Sequence, residues 1–111
     1  MSETAIRILT PTTSATQSDT FTVGDYPIAV TIYRTGAGDM TAAEYTDLQE
    51  YSYAGEWHDY YDSGDSGAVS NQVRLHAGRH GIVIRKPGTY RLDKGATTEN
   101  VGAYIRTAMV I

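Results

Sequence analysis

The sequence predicts an all-β protein, a jelly-roll-like antiparallel β-sandwich. The 111 residues include nine tyrosines and many threonines, which favour strands, and 11 glycines, which favour turns. Apolar residues fall in short runs that alternate with polar residues, and turn-forming clusters separate the runs. Roughly nine such strands with short connections leave little room for helices. We therefore expect two antiparallel sheets that pack face to face.

Length and composition predict one domain over residues 1–111. The absence of cysteine excludes a disulfide framework, thiolate zinc sites and cysteine catalysis, and it fits synthesis in a reducing cytoplasm. The chain contains no apolar run of about 18 residues, so we expect no transmembrane helix. The start, Met1-Ser2-Glu3-Thr4, has neither the basic nor the apolar region of a secretory signal.

The first elements are two short strands with a polar segment between them. Residues 5–9 are apolar and end at Thr10-Pro11. Residues 10–18 are rich in Ser and Thr and have almost nothing to bury, so we expect an extended N-terminal arm or a surface loop. In the next strand Phe21 and Val23 share one face.

Residues 28–33 give the clearest half-buried strand of the chain. Three large aliphatic residues alternate with smaller or polar ones, and β-branched residues occur on both faces. The expected inward residues are Ile28, Val30 and Ile32, and the outward residues are Ala29, Thr31 and Tyr33.

Residues 41–53 allow two interpretations. Thr41 and Glu44 match a helix capping box. The tyrosine-rich flank instead favours a strand over residues 46–53. In that case Gly55 forms a hairpin turn, and residues 57–61 form the return strand. We favour the strand.

The second half of the chain predicts further strands. Residues 69–75 and 82–84 are strand candidates. Lys86-Pro87-Gly88 predicts a type II turn, because proline suits its second position and glycine its third. Residues 89–92 would then return as a hairpin, and residues 101–111 would close the chain as a long strand.

No motif predicts an enzyme, a metal site or a cofactor site. The segment Gly64-Asp65-Ser66-Gly67-Ala68 lacks the last glycine and the strand-to-helix context of a nucleophile elbow. His76 and His80 flank a glycine-containing turn without a third ligand at a fixed spacing. The spacing of the aspartates from Asp59 to Asp65 does not match an EF-hand loop.

Charge is strongly segregated along the chain, although the net charge is only -4. Eight acids and no bases lie between Asp39 and Asp65, whereas six bases and one acid lie between Arg74 and Lys94. Neighbouring strands could neutralise each other across a sheet. Alternatively, a bipolar surface could dock onto a charged protein partner, and its candidate contact residues are Arg74, Arg79 and Arg85. The negative net charge disfavours direct nucleic-acid binding.

Six aromatic residues fall within residues 45–61. Exposed rings on a β-sandwich can stack on sugars or anchor a protein interface, and the candidates are Trp57, Tyr60 and Tyr61. Core and cross-strand packing is the alternative. Strand alternation places Trp57 and Tyr61 on one face and Tyr60 on the other.

Several segments are similar to small structural modules of tailed phages. They are Ser18–Gly24 (SDTFTVG), Gly55-Glu56-Trp57, Pro87–Leu92 (PGTYRL) and Val101–Tyr104 (VGAY). With its length and its threonine-rich arm, the whole chain resembles the capsid decoration ("staple") protein of the epsilon15-like short-tailed phages. The resemblance implies a jelly-roll sandwich on the outer capsid surface of the virion, without enzymatic activity. It also implies clamping of neighbouring major capsid protein subunits and a homodimer at a local two-fold axis, with neither nucleic acid nor membrane as a partner.

The sequence thus supports two functional hypotheses. The first is capsid decoration, and the alternative is a carbohydrate- or receptor-binding module. In the first, the apolar tail over residues 107–111 completes a sheet or adds a strand to a partner. Truncation after Arg106 is then expected to weaken folding or capsid binding.

Overall fold

Two antiparallel sheets form the protein in the computed structural model, which describes residues 5–35, 45–52, 55–60, 73–76 and 79–107. Within these ranges there are ten strands and no helix that is long and apolar enough to cross a membrane. The strands are β1 (Ile6–Thr12), β2 (Thr16–Gln17), β3 (Phe21–Val23), β4 (Ile28–Arg34), β5 (Thr46–Tyr51), β6 (Trp57–Asp59), β7 (Arg74–Leu75), β8 (Gly81–Ile84), β9 (Gly88–Lys94) and β10 (Val101–Thr107).

The strand order is that of a jelly roll. The first sheet, sheet A, has the order β1-β10-β4-β8. In the second, sheet B, β2 and β3 share one edge of β9, β5 pairs with the other edge of β9, and β6 and β7 share the far edge of β5. Taking β2–β3 and β6–β7 as two interrupted strands leaves eight strand positions in two four-membered sheets. The predicted fold class is confirmed.

The core lies between the two sheets and follows from strand alternation. Val30 and Ile32 of β4 point inward, as predicted, and pair in register with Ile105 and Ala103 of β10. In sheet B, Leu48 pairs with Leu92 at the centre, and both are fully buried. The buried apolar residues form one cluster: Ile8, Leu9, Phe21, Val23, Val30, Ile32, Leu48, Val73, Leu75, Ile84, Tyr90, Leu92, Val101, Ala103 and Ile105.

The strand interpretation of the ambiguous segment is confirmed for Thr46–Tyr51, whereas residues 41–44 lie outside the described residues. The predicted turn at Gly55 is also confirmed, because this glycine has a φ of 90°. The turn is closed by the Ser52 N–H, which donates to the Glu56 carbonyl at 2.8 Å. The return strand is short and covers Trp57–Asp59.

The segment expected to be an arm or loop is part of the sandwich. β1 extends to Thr12, and β2 pairs Thr16 and Gln17 with the end of β9. This short stretch carries the chain from the edge of sheet A to the edge of sheet B. These residues have little apolar surface, but backbone hydrogen bonds hold them in the sheets. Side-chain composition does not indicate such backbone pairing.

The prediction for the turn at Lys86-Pro87-Gly88 is wrong in two respects. Gly88 begins β9 and does not have the positive φ that a type II turn requires at that position. The flanking strands do not form a hairpin either, since β8 pairs with β4 in sheet A and β9 pairs with β5 in sheet B. The turn therefore crosses between the sheets.

The structure describes only part of the predicted strands over residues 69–75 and 101–111. β7 contains Arg74 and Leu75, and residues 69–72 lie outside the described residues. β10 contains Val101–Thr107 and lies between β1 and β4, so it belongs to the interior of sheet A. The tail over residues 108–111 also lies outside the described residues, which leaves its role a prediction.

Candidate functional site

The outer side of sheet B carries a dense group of polar and aromatic side chains. In β5, Thr46 and Leu48 are buried, so their neighbours Asp47, Gln49 and Tyr51 point away from the core. Residues in register on the adjacent strands point the same way. We call this surface the Trp57 face, and its residues are Tyr45, Asp47, Gln49, Tyr51, Trp57, Asp59, Arg74 and Arg91.

The centre of the Trp57 face is a connected cluster. The Arg91 guanidinium lies 4.3 Å from the centroid of the Trp57 ring. Arg91 Nε also donates to Gln49 Oε1 at 2.8 Å, and Gln49 Nε2 donates to Asp59 Oδ1 at 3.4 Å. Tyr51 meets the Trp57 ring edge-on, with centroids 5.0 Å apart. Cation–π and hydrogen-bond contacts thus fix these side chains relative to each other across three strands.

A second cluster lies at the β7 end of the same face. Arg74 Nε donates to Asp47 Oδ1 at 2.9 Å, and its guanidinium lies 4.7 Å from the centroid of the Tyr45 ring. Tyr45 also contacts His76 edge-on at 5.8 Å. Arg74, predicted as a partner-binding residue, therefore belongs to an ion pair within the sheet.

The Asp47 carboxyl has a perturbed pKa. Burial raises the pKa of Asp47 above its ordinary value of 3.8, and the positive charge and hydrogen bond of Arg74 only partly oppose this shift. The nearby carboxylates of Asp59 and Asp93 raise it further. Desolvation of the charged form is the main cause, because the side chain is only 19% exposed.

We expect this shift to appear in the pH dependence of stability. Since the folded pKa lies above 3.8, the native state binds more protons than the unfolded state just above that pH. The Asp47 contribution is therefore present at lower pH and is lost as the pH rises through the folded pKa. Urea unfolding from pH 3 to 7 measures the free energy of unfolding at each pH. We expect the part of its decrease with rising pH that is due to Asp47 to be absent in Asp47→Asn. An unchanged slope would show that Asp47 is not its source.

Trp57 and Tyr60, two of the three candidate rings, lie on opposite faces, as strand alternation predicts. Trp57 lies on the outer side of sheet B, whereas Tyr60 packs against the core and meets Tyr90 edge-on at 5.5 Å. Tyr61 lies outside the described residues. The hydroxyl of Tyr90 donates to the Lys86 carbonyl at 2.7 Å, so this inner aromatic pair braces the turn before β9.

The basic segment does not form one surface. Lys94 is 1% exposed, and Lys86 forms an ion pair with Glu50 at 3.2 Å. Arg79 exchanges two backbone hydrogen bonds with His76, and Arg85 is exposed after β8 of the other sheet. Because acidic β5 pairs with β7 and β9, the structure supports neutralisation within sheet B over a bipolar surface.

The outer side of sheet A has a different chemistry. Between Ile6–Thr12, Ile28–Arg34, Gly81–Ile84 and Val101–Thr107, no strand of this sheet contains an Asp or Glu. The outward positions hold small, aliphatic and tyrosine side chains with arginines around them. We call this surface the tyrosine–arginine face. Its strand residues are Arg7, Ala29, Thr31, Tyr33, Val83, Tyr104 and Arg106, and exposed Arg85 follows directly after β8.

Two features make the tyrosine–arginine face suited to contact another protein. Val83 is 42% exposed on edge strand β8, and the rings of Tyr33 and Tyr104 lie 5.9 Å apart on the central strands. Arg7 pairs in register with Tyr104, which places an exposed cation beside the rings. Sequence reasoning missed Arg7 as a candidate because it lies far along the chain from the basic segment that contains Arg85.

The described residues contain no group of three or more His, Asp or Glu side chains placed to hold a metal ion. A groove of about 260 Å³ at one end of sheet B is lined by Glu50, Tyr51, Ser52, His58 and Lys86. A larger groove of about 560 Å³ follows the passage from β1 to β2. The lining of neither groove indicates a particular ligand, so the two outer faces remain the candidate sites.

Together, the fold and the two faces define a jelly-roll sandwich with chemically distinct outer surfaces. Comparison with models of known protein families gives no match, and comparison with curated protein sequences gives none. A solved structure with the same fold is that of the SPBc2 prophage-derived protein YomS. It is 13% identical, its TM-score is 0.62, and the alignment covers 96% of this chain and 94% of that chain.

Proposed function

We propose that the protein is a phage capsid decoration protein that binds the major capsid protein through the tyrosine–arginine face. The observation that carries this proposal is that a four-stranded outer surface holds exposed arginines around apolar and tyrosine side chains, with no carboxylate on its strands. The resemblance of the sequence to phage staple proteins and the shared fold with a prophage-derived protein support the phage assignment.

The chemistry of this face specifies the kind of partner. Aromatic and arginine side chains are enriched at protein interfaces, and arginines on strands that contain no Asp or Glu fit an acidic partner surface. The partner is therefore an acidic patch on the outside of the capsid shell, where the bound protein would bridge neighbouring subunits. A stable interface buries roughly 800 Å² on each partner. Pairing of two copies at a local two-fold axis would raise the avidity of attachment.

Co-sedimentation with empty shells of the major capsid protein from the same genome tests this proposal. Val83→Glu places a carboxylate on the tyrosine–arginine face and should weaken attachment about tenfold. Thr22→Glu is the matched control, since it adds the same charge to the exposed outer side of edge strand β3 in sheet B. This control should bind like the wild type, and thermal unfolding of both variants checks that they fold.

Salt provides a second readout of the same interface. Attachment led by arginines should weaken several-fold between about 0.05 and 0.5 M NaCl, because exposed charges are screened over that range. The capsid proposal is wrong if the wild type does not co-sediment with the shells. The assignment of the face is wrong if Val83→Glu and Thr22→Glu bind equally well.

A further inference from the structure

We infer that the Trp57 face binds a neutral saccharide. It combines an aromatic ring with an amide, a carboxylate and a guanidinium, which are the groups that pack on a sugar ring and hydrogen-bond to its hydroxyls. The inference does not depend on capsid attachment, since this face belongs to sheet B and the proposed docking face belongs to sheet A. A protein attached through sheet A would present the Trp57 face to the surroundings.

The cluster retains hydrogen-bonding capacity after its internal contacts are made. Arg91 uses Nε on Gln49, which leaves its two terminal NH2 groups. The Gln49 amide donates one of its two hydrogens to Asp59 Oδ1, so the other can donate to a ligand. The second carboxylate oxygen of Asp59, Oδ2, can accept hydrogen bonds from a ligand. Donors and acceptors thus alternate over a few ångströms, and a sugar hydroxyl can act as both.

The same contacts hold the cluster in place before a ligand binds. Gln49, Asp59 and Arg91 lie on three adjacent strands, in register with one another. Arg91 lies over the Trp57 ring, and Tyr51 contacts the ring from another side. Side chains that are already ordered lose little conformational entropy on binding, which favours recognition of a ligand as small as an oligosaccharide.

The charge of the face selects among ligand classes. Asp47, Asp59 and Asp93 all lie on this side of sheet B and disfavour the phosphates of a nucleic acid. An apolar protein surface would leave the polar atoms around Gln49 buried without hydrogen-bond partners, which is unfavourable. A neutral polyhydroxylated ligand avoids both penalties, and the apolar C–H side of a pyranose can pack on the exposed part of the half-buried Trp57 side chain.

An array of neutral polysaccharides, including dextran, mannan, galactan and cellulose, tests the inference with the full chain. The tightest-binding polysaccharide is then titrated as its hexasaccharide by calorimetry. We expect Trp57→Ala to lower the affinity at least about tenfold and Gln49→Ala to lower it several-fold. Tyr26→Ala is the matched control, because it removes an aromatic ring that is 60% exposed but lies outside sheet B. This control should bind like the wild type.

Three results would overturn the inference: retention of none of the arrayed polysaccharides, equal binding by Trp57→Ala and the wild type, or an equal loss in Tyr26→Ala. Preference for DNA or an acidic polysaccharide, abolished by about 0.5 M NaCl, would contradict a neutral ligand. Thermal unfolding of the variants shows whether a loss of binding comes from the missing side chain or from a protein that no longer folds. Since these assays contain no capsid, their failure would not affect the decoration proposal.

Discussion

Lys94→Ala is expected to lower the free energy of unfolding by about 3 kcal/mol. Lys94 is the last residue of β9 and is 1% exposed. Its Nζ donates to the Ser14 carbonyl at 3.0 Å and to the Gly95 carbonyl at 2.9 Å. The substitution removes a buried aliphatic stem and the donor for two carbonyls, one of which lies in the link between β1 and β2. Urea unfolding measures the change.

Lys94→Met separates these two contributions, because methionine fills the space of the stem without replacing the ammonium group. We expect it to cost about 1–2 kcal/mol, which is the effect of the lost hydrogen bonds alone. Equal losses in the two variants would assign the whole effect to the ammonium group. A Met variant as stable as the wild type would show that desolvation of the buried charge offsets its hydrogen bonds.

Gly102→Ala is expected to destabilise the protein by about 2 kcal/mol through overpacking. A Cβ at this position would lie 2.7 Å from the Leu9 carbonyl oxygen and 2.9 Å from Pro11 Cγ. β1 is irregular where it passes β10, with register shifts on both sides of Leu9, and this brings its backbone and Pro11 over Gly102. Because the nearest atom belongs to the backbone, a side-chain rotation cannot relieve the contact.

Gly24→Ala is the matched control for that substitution. A Cβ at Gly24 meets nothing within 4 Å, and the residue does not have a positive φ. We expect its stability to change by less than about 0.5 kcal/mol. Thermal unfolding of the two variants side by side tests the explanation. Equal effects would mean that the approach of β1 to β10 does not constrain Gly102.

Much of the fold could be predicted from the sequence because strand alternation is a local signal. The buried residues of β3 and β4 follow directly from the order of apolar and polar residues. The pairing partner of a strand is not a local property, and the Lys86-Pro87-Gly88 turn shows the consequence. Its composition correctly marks a change of direction, but β8 and β9 belong to different sheets. The interpretation of residues 10–18 as an arm or loop misses β2 for a related reason, because the partner strand β9 lies far along the chain.

The candidate surfaces were less predictable, since charge along the chain is a poor guide to charge on a surface. The acidic and basic segments meet in sheet B, where Asp47 pairs with Arg74 and Glu50 with Lys86. Lys94, the last base of the basic segment, is buried and does not contribute to a surface. The tyrosine–arginine face gathers residues from four distant strands, so no segment of the sequence displays it. Of the aromatic candidates, Trp57 lies on the outer side of sheet B, whereas Tyr60 packs against the core.

The nested strand order also determines how the chain can reach its folded state. β1 pairs with β10, so Ile6 pairs with Ile105 at the other end of the described chain. Likewise, β2 and β3 can pair only after β9 has been synthesised. Closing such long loops costs chain entropy before it brings any contact, and folds built on distant pairs reach the native state in milliseconds to seconds. During synthesis, sheet A cannot close until β10 has left the ribosome. Until then, β1 and β4 expose edges that pair only with the end of the described chain.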